Sequence, residues 1–305
     1  MKRKLVGLAV LASSVVLSAD ALQAKPGGTM AMLDTARIEQ LTGAKGALDT
    51  KEGVFKVSVP RTDLAINVAG VHVTPAMGLT SWAAFMPSEQ ATMVMGDMVL
   101  LENQVNQVMD AALGNGLEVT ALHNHFLWDQ PRVMFMHIGG HGDGTALATA
   151  IGKVFAKIKE TSAVDPGPPA ARPEIGGTGP DSAKLDAILG EHGTLTAGVY
   201  KVVVGRVTTM DEMKVGSAMG VNTWAAFGGS AEKAVVDGDV AMLESELQGV
   251  LKALRAVGIN IVAIHQHMAG EQPRVLFLHF WGLGRAEDLA RGLRTALDRT
   301  ATAPK

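Results

Sequence analysis

The sequence predicts an α+β protein of two similar halves, each an antiparallel sheet with two helices, related by a pseudo-twofold axis. Three observations predict it. A long motif is written twice, 142 positions apart: Ala121, His123, His125, Gln130-Pro-Arg-Val133 and His137 return as Ala263, His265, His267, Gln272-Pro-Arg-Val275 and His279. Segments such as Gly53 to Val59 alternate apolar and polar residues, the period-2 mark of a half-buried strand. Leu101, Val105, Val108, Met109 and Ala112 recur at helical spacing, as do Leu243, Leu247, Val250, Leu251 and Leu254. A repeat this long is a duplicated domain, since solenoid repeats run about 20 to 50 residues.

In chain order, Met1-Lys-Arg-Lys4 and the apolar run Leu5 to Ala19, with small residues at Ala19, Ala21 and Ala24, read as a signal peptide over residues 1–24. The protein is therefore expected to be periplasmic or secreted. The run is too short for a comfortable membrane span, and no later stretch reaches about 18 uninterrupted apolar residues, so stable membrane insertion is not expected. The first repeat domain is assigned to 25–160. It opens with a helix near Thr35 to Thr42, then strands at Gly53 to Val59, Leu64 to Val73 (broken by Gly70), Met77 to Phe85 and Ala91 to Met95. Gly96-Asp97 reads as the change to helical spacing, with Asp97 and Asp239 as N-caps. A helix ended by Gly114 and Gly116 follows, then a histidine hairpin from Glu118 to Ile138 and a closing helix from Gly144 to Lys159. Pro166, Pro168, Pro169, Pro173 and Pro180 mark 161–181 as a semi-rigid linker. The second repeat domain, 182–300, answers element by element and is three residues shorter near Val71 to Val73.

Composition bounds the function. With 47% hydrophobic and 19% charged residues the chain can fill its cores, and a net charge of −3 without a basic block past the first four residues gives no footprint for nucleic acid. The absence of cysteine excludes disulfides, thiolate ligands and lipid attachment through an N-terminal cysteine. Sixteen methionines serve as core filler or as soft ligands for copper. Nothing in the composition fixes an oligomeric state.

The candidate metal ligands are His123, His125 and His137, with His265, His267 and His279 as the second set. A His-x-His pair on a strand puts both imidazoles on one side, and a turn centred on Gln130 sets His137 opposite His123 on that face. Three neutral imidazoles converging within about 2 Å of one point make a transition-metal site, for zinc, copper or iron. The competing reading is a polar sheet in which they hydrogen-bond neighbours such as Glu102. By alternation the His face continues through Val119 and Ala121. His141 has no counterpart, since position 283 is Leu. Glu102 and Glu244 open matching helices, where the dipole favours a carboxylate; the functional alternative is a fourth ligand or a general base. Arg132 and Arg274 are candidates for binding an anionic ligand, or for internal ion pairs. Trp82 and Trp224, each before Ala-Ala-Phe, read as core pieces, with sugar stacking as the alternative. Gly139 to Gly142 is a weak anion-loop candidate ahead of a helix.

At Gly78 to Phe85, Met95-Gly-Asp97, Glu118 to His125 and Pro131 to Gly142 the chain resembles the LppY/LpqO family of bacterial envelope proteins, over nearly all of 25–300. The resemblance implies an exported, duplicated domain of unknown function. Some members of that family are lipoproteins, from which this cysteine-free chain departs. Two functions are carried forward: an exported transition-metal-binding protein, a metalloenzyme of unassigned reaction if a coordination position stays open, and a non-catalytic envelope module that binds glycan or a small anionic ligand.

Overall fold

The computed structural model describes residues 33–88, 91–162, 178–210 and 212–300. The signal-peptide expectation and most of the 161–181 linker lie outside the described residues. The first half runs α1 (Thr35–Thr42), β1 (Gly46–Asp49), β2 (Val54–Pro60), β3 (Ile66–Val68), β4 (Val71–Val73), β5 (Thr80–Pro87), β6 (Thr92–Leu101), α2 (Val105–Gly114), β7 (Glu118–His123), β8 (Asp129–Gln130), β9 (Val133–Gly142) and α3 (Gly144–Ser162). The second runs α4 (Ser182–Leu189), β10 (Thr194–Thr196), β11 (Val199–Gly205), β12 (Thr208–Met210), β13 (Met213–Val215), β14 (Asn222–Gly229), β15 (Ala234–Leu243), α5 (Leu247–Ala256), β16 (Asn260–His265), β17 (Val275–Gly284) and α6 (Ala286–Leu297).

Two expectations are corrected. Each half carries three α-helices among the described residues, not two, and the halves share one sheet rather than building two. That sheet has 12 antiparallel strands in the order β1-β2-β5-β6-β9-β7-β16-β17-β15-β14-β11-β10, which reads as the same series outward from its centre. The central pair joins Leu122 to Ile264, its own counterpart in the repeat. The helices lie on one face and bury a core continuous across both halves, from Phe55, Phe85 and Met136 to Tyr200, Phe227 and Phe280. Gly152 allows α3 to lie against α1, because a Cβ there would collide with the Leu41 carbonyl.

Among the described residues, the opposite face is covered only at one end. In the first half β3 pairs with β4 and with β8 at the tip of the histidine hairpin, over a small core of Ile66, Val73, Leu79, Val99, Val133 and Phe135. The two-stranded β12–β13 takes this place in the second half, over Val215, Val221, Ala241, Val275 and Phe277. No other described element covers the rest of the face.

β7 departs from simple alternation. Val119 pairs with Ile138, but Ala121 pairs with His137, so one extra residue bulges between them. The ladder therefore changes face: Val119 is fully buried in the helix-side core, while Ala121 and His123 face the other way. The expectation that Val119 lies on the His face is corrected by this bulge. β16 repeats it between Ile261 and Ala263.

Each bulge is clamped by the other half. The Gln248 side chain accepts from the Val119 N–H at 3.1 Å and donates to the Val119 carbonyl at 2.8 Å, and Asn106 Oδ1 accepts from the Ile261 N–H at 2.9 Å. Asn106 and Gln248 are themselves repeat counterparts. Removing the clamp leaves strand groups without partners, so Gln248→Ala should cost about 1 to 2 kcal/mol. Equilibrium urea unfolding of the variant measures it, and an unchanged midpoint would show that the clamp contributes nothing.

Candidate metal centre

Along the open face the ladder sets up one row per half. Trp82 on β5 lies opposite Asp97 on β6, Asp97 opposite His137 on β9, and His137 opposite Ala121 on β7. The counterpart row is Trp224, Asp239, His279 and Ala263. His123 pairs with Phe135 and not with His137, as the turn-centred register had it; the register lies two residues away, so the two imidazoles meet diagonally on the same face. His125 follows the end of β7 and folds back, its ring stacked on Phe135 at 3.5 Å between centroids. His267 stacks on Phe277 in the same way, at 3.4 Å.

The three rings of each half thus come together. His123 stands 5.0 Å from both His125 and His137 between ring centroids, and the Nε2 atoms of His123 and His125 are 3.2 Å apart. His137 Nε2 is 4.0 Å from Asp97 Oδ2. In the second half, one ligand atom each from Asp239, His265 and His267 falls within 4.8 Å of the others, a group that could hold a metal ion. His267 Nε2 is 3.3 Å from Asp239 Oδ2, and His279 lies 4.6 Å from His265 between centroids. Backbone carbonyls aim two rings: Nδ1 of His267 faces Gly220 O at 3.3 Å and Nδ1 of His279 faces Gly238 O at 3.4 Å. With the proton on Nδ1, each donates there and leaves the Nε2 lone pair toward the site.

The electrostatics are those of a site with donors in excess. Asp97 Oδ1, Asp239 Oδ1, His123 Nδ1 and His265 Nδ1 are buried without a hydrogen bond of normal geometry. Burial raises the Asp97 pKa, although His137, His125, His123 and Lys56 all pull it down. Burial lowers the His123 pKa, helped by His137 and His125. It lowers that of His265 as well, with Asp239 opposing and His279 and His267 assisting. Neutral imidazoles with free lone pairs are the form in which histidine binds metal.

The carboxylates beside the imidazoles are Asp97 and Asp239, which correct the N-cap expectation: both sit inside ten-residue strands. The Gly-Asp pairs do not punctuate a turn; a Cβ at Gly96 would lie 2.6 Å from the Trp82 carbonyl, so strand packing demands the glycine. Glu102 and Glu244 open 3₁₀ turns past the strand ends, about 17 Å along the strand from the aspartates. They are not brought to the imidazoles. Glu102 faces Arg132 at 3.8 Å across an exposed surface, and Glu244 and Arg274 line a different cavity with Glu118 and Gln248. Trp82 and Trp224 are half-buried on the open face, not in the core, with the ammonium groups of Lys56 and Lys201 at 4.0 and 4.6 Å over their rings. Gly139 to Gly142 belongs to β9, and Asp143 Oδ1 caps the next helix by accepting from the Ala146 N–H. Phe135 and Phe277 were not singled out from sequence; their signal is position, two residues before His137 and His279 on the same strand face.

A family model described as Domain of Unknown Function (DUF1259) matches residues 36–157 and again 183–299. No curated protein and no solved structure matches the chain. Each match spans one of the two halves, with its own row of aspartate and histidines. The chain belongs to this family of unknown function and carries its domain twice.

Proposed function

We propose that this protein binds a transition metal in each half, through Asp97, His123, His125 and His137 in the first and Asp239, His265, His267 and His279 in the second. The observation that carries the reading is the 3.2 Å separation of the His123 and His125 Nε2 atoms. Two nitrogens each about 2.0 Å from one ion at a tetrahedral angle lie about 3.3 Å apart. The buried, unpaired oxygen of each aspartate supports it, since a cation offsets the cost of a desolvated carboxylate. Zinc, copper and iron all accept this mixed nitrogen and oxygen set.

The sites face an open surface: the His137 and His267 side chains are 39% and 34% exposed. An open coordination position distinguishes a catalytic metal from a structural one, and Lys56 beside Trp82 gives its rim a positive charge suited to a small anionic ligand. Lys56 also covers the ring face on which a sugar would stack, which favours the metal centre over a glycan platform. The reading includes export through a signal peptide at 1–24, domains at 25–160 and 182–300 joined by 161–181, and membership of the LppY/LpqO group on its motifs. It also includes a pseudo-twofold axis between β7 and β16, supported by the Leu122–Ile264 pair.

Metal analysis of the untagged, exported protein should find two equivalents, and His123→Ala with His125→Ala should lose one. Negligible metal in both preparations sinks the proposal. The apoprotein should also lose stability in acid. Burial holds the folded pKa values of His123 and His265 below the ordinary histidine value of about 6.5, so the unfolded chain binds the proton more tightly. Their contribution is complete above about 6.5 and is lost as pH falls through that value toward the folded pKa. Asp97, raised, works in the opposite sense, and only at lower pH. Thermal melts of apoprotein from pH 7.5 to 5 should fall, less steeply in His123→Gln with His265→Gln; equal slopes would contradict the assignment.

A further inference from the structure

We infer that the first half carries a separate site for a soft monovalent metal, copper(I), built from the thioethers of Met86, Met93 and Met95 and the imidazole of His141. In the ladder Met86 lies directly opposite Met93, and Met93 directly opposite His141. Opposed residues of an antiparallel pair hold their Cβ atoms about 5 Å apart on one face. Met95 follows Met93 by two positions and shares that face. The facing is fixed by the alternate residues: Phe85, Val94 and Ile138 are buried in the helix-side core, so the methionine set points the other way. A methionine side chain turns about three bonds, which lets sulfurs from neighbouring positions reach one point beside an imidazole.

Two observations set this group apart from scattered surface apolar residues. Met86 and Met95 are 37% and 56% exposed, so their thioethers do not fill a core. In the second half the same positions hold Gly228, Val235, Asp237 and Leu283, although the register is unchanged, with Gly228 opposite Val235 and Val235 opposite Leu283. Every one of the four positions carries a thioether or imidazole in one copy and none does in the other. Gly139, opposite Met95, adds no side chain beside the set, and a Cβ built there would meet only the Val94 carbonyl, at 3.8 Å. Thioether donors select copper(I) over the harder divalent ions, and imidazole accepts copper as well. Met95, the member nearest the aspartate, stands two residues along β6 from Asp97, about 7 Å, and the two sets have no residue in common.

Anaerobic titration of the full chain with copper(I) against a chromogenic copper(I) chelator tests this, with X-ray absorption on the loaded protein. The wild-type chain should withdraw copper(I) from the chelator and show sulfur at bonding distance. Met86→Leu with Met93→Leu and Met95→Leu, close to volume-conserving changes, should remove the sulfur shell and weaken binding at least tenfold. Divalent metal content should stay unchanged in that variant, which keeps this test independent of the reading above. His141→Leu should weaken copper(I) binding too. If the triple variant does not fold, Met86→Leu with Met95→Leu alters only exposed side chains and repeats the measurement. A wild-type shell of nitrogen and oxygen alone, equal copper(I) affinity in the variants, or no withdrawal from the chelator overturns the inference.

Discussion

The architecture rests on one extra residue in each of the two central strands. Without the bulge after Val119, alternation would hold His123 on the same face as Val119, so that burying one would bury the other. With it, Val119 fills the core and His123 joins His137 on the exposed face. A bulge leaves backbone groups outside the ladder, and those of Val119 are taken up by Gln248 from the other half, as Asn106 takes up the Ile261 N–H. The arrangement of imidazoles in one half therefore depends on a side chain belonging to the other. Duplication here supplies mutual support as well as a second site.

Around that constraint, each half assembles its donors from elements that are rigid for separate reasons. β6 and β9 are central strands ten residues long and paired throughout, so Asp97 and His137 have fixed spacing. His123 is held at the end of β7, and His125, beyond the strand, is oriented by its stack on Phe135. Phe135 in turn is buried by the small sheet of β3, β4 and β8, which pairs with the hairpin tip. The covering strands thus position a ligand without occupying the open face. Burial does the electrostatic part by keeping His123 and His265 unprotonated near neutrality and leaving aspartate oxygens unpartnered.

Much of this was legible in the sequence, for physical reasons. The helical stripes, the alternating strands and the repeat are statements about burial, which sequence records residue by residue. The His-x-His pair and the third histidine were legible because side-chain direction on a strand has period 2 and the turn residues bound the register. The bulge was not, because Thr120 and Val262 are ordinary strand formers and an added residue leaves no mark in residue type. Asp97 was misread because glycine before aspartate looks like a turn; here the glycine answers to the Trp82 carbonyl on the neighbouring strand, a contact far away in sequence. Glu102 drew attention by its place after the strand, where its separation from the aspartate depends on a strand running six residues further than the pattern suggested.

The pairing of Leu122 with Ile264 has a consequence for the history of the chain. A single half, standing alone, would end its sheet at β7 with an unsatisfied edge, and an edge of that kind recruits another strand. The complementary strand with the right bulge and the right amide clamp is the same strand from a second copy. Joining two copies in tandem turns what would have been an encounter limited by concentration into an intramolecular one, and frees each copy to diverge, as the methionines on only one side already record.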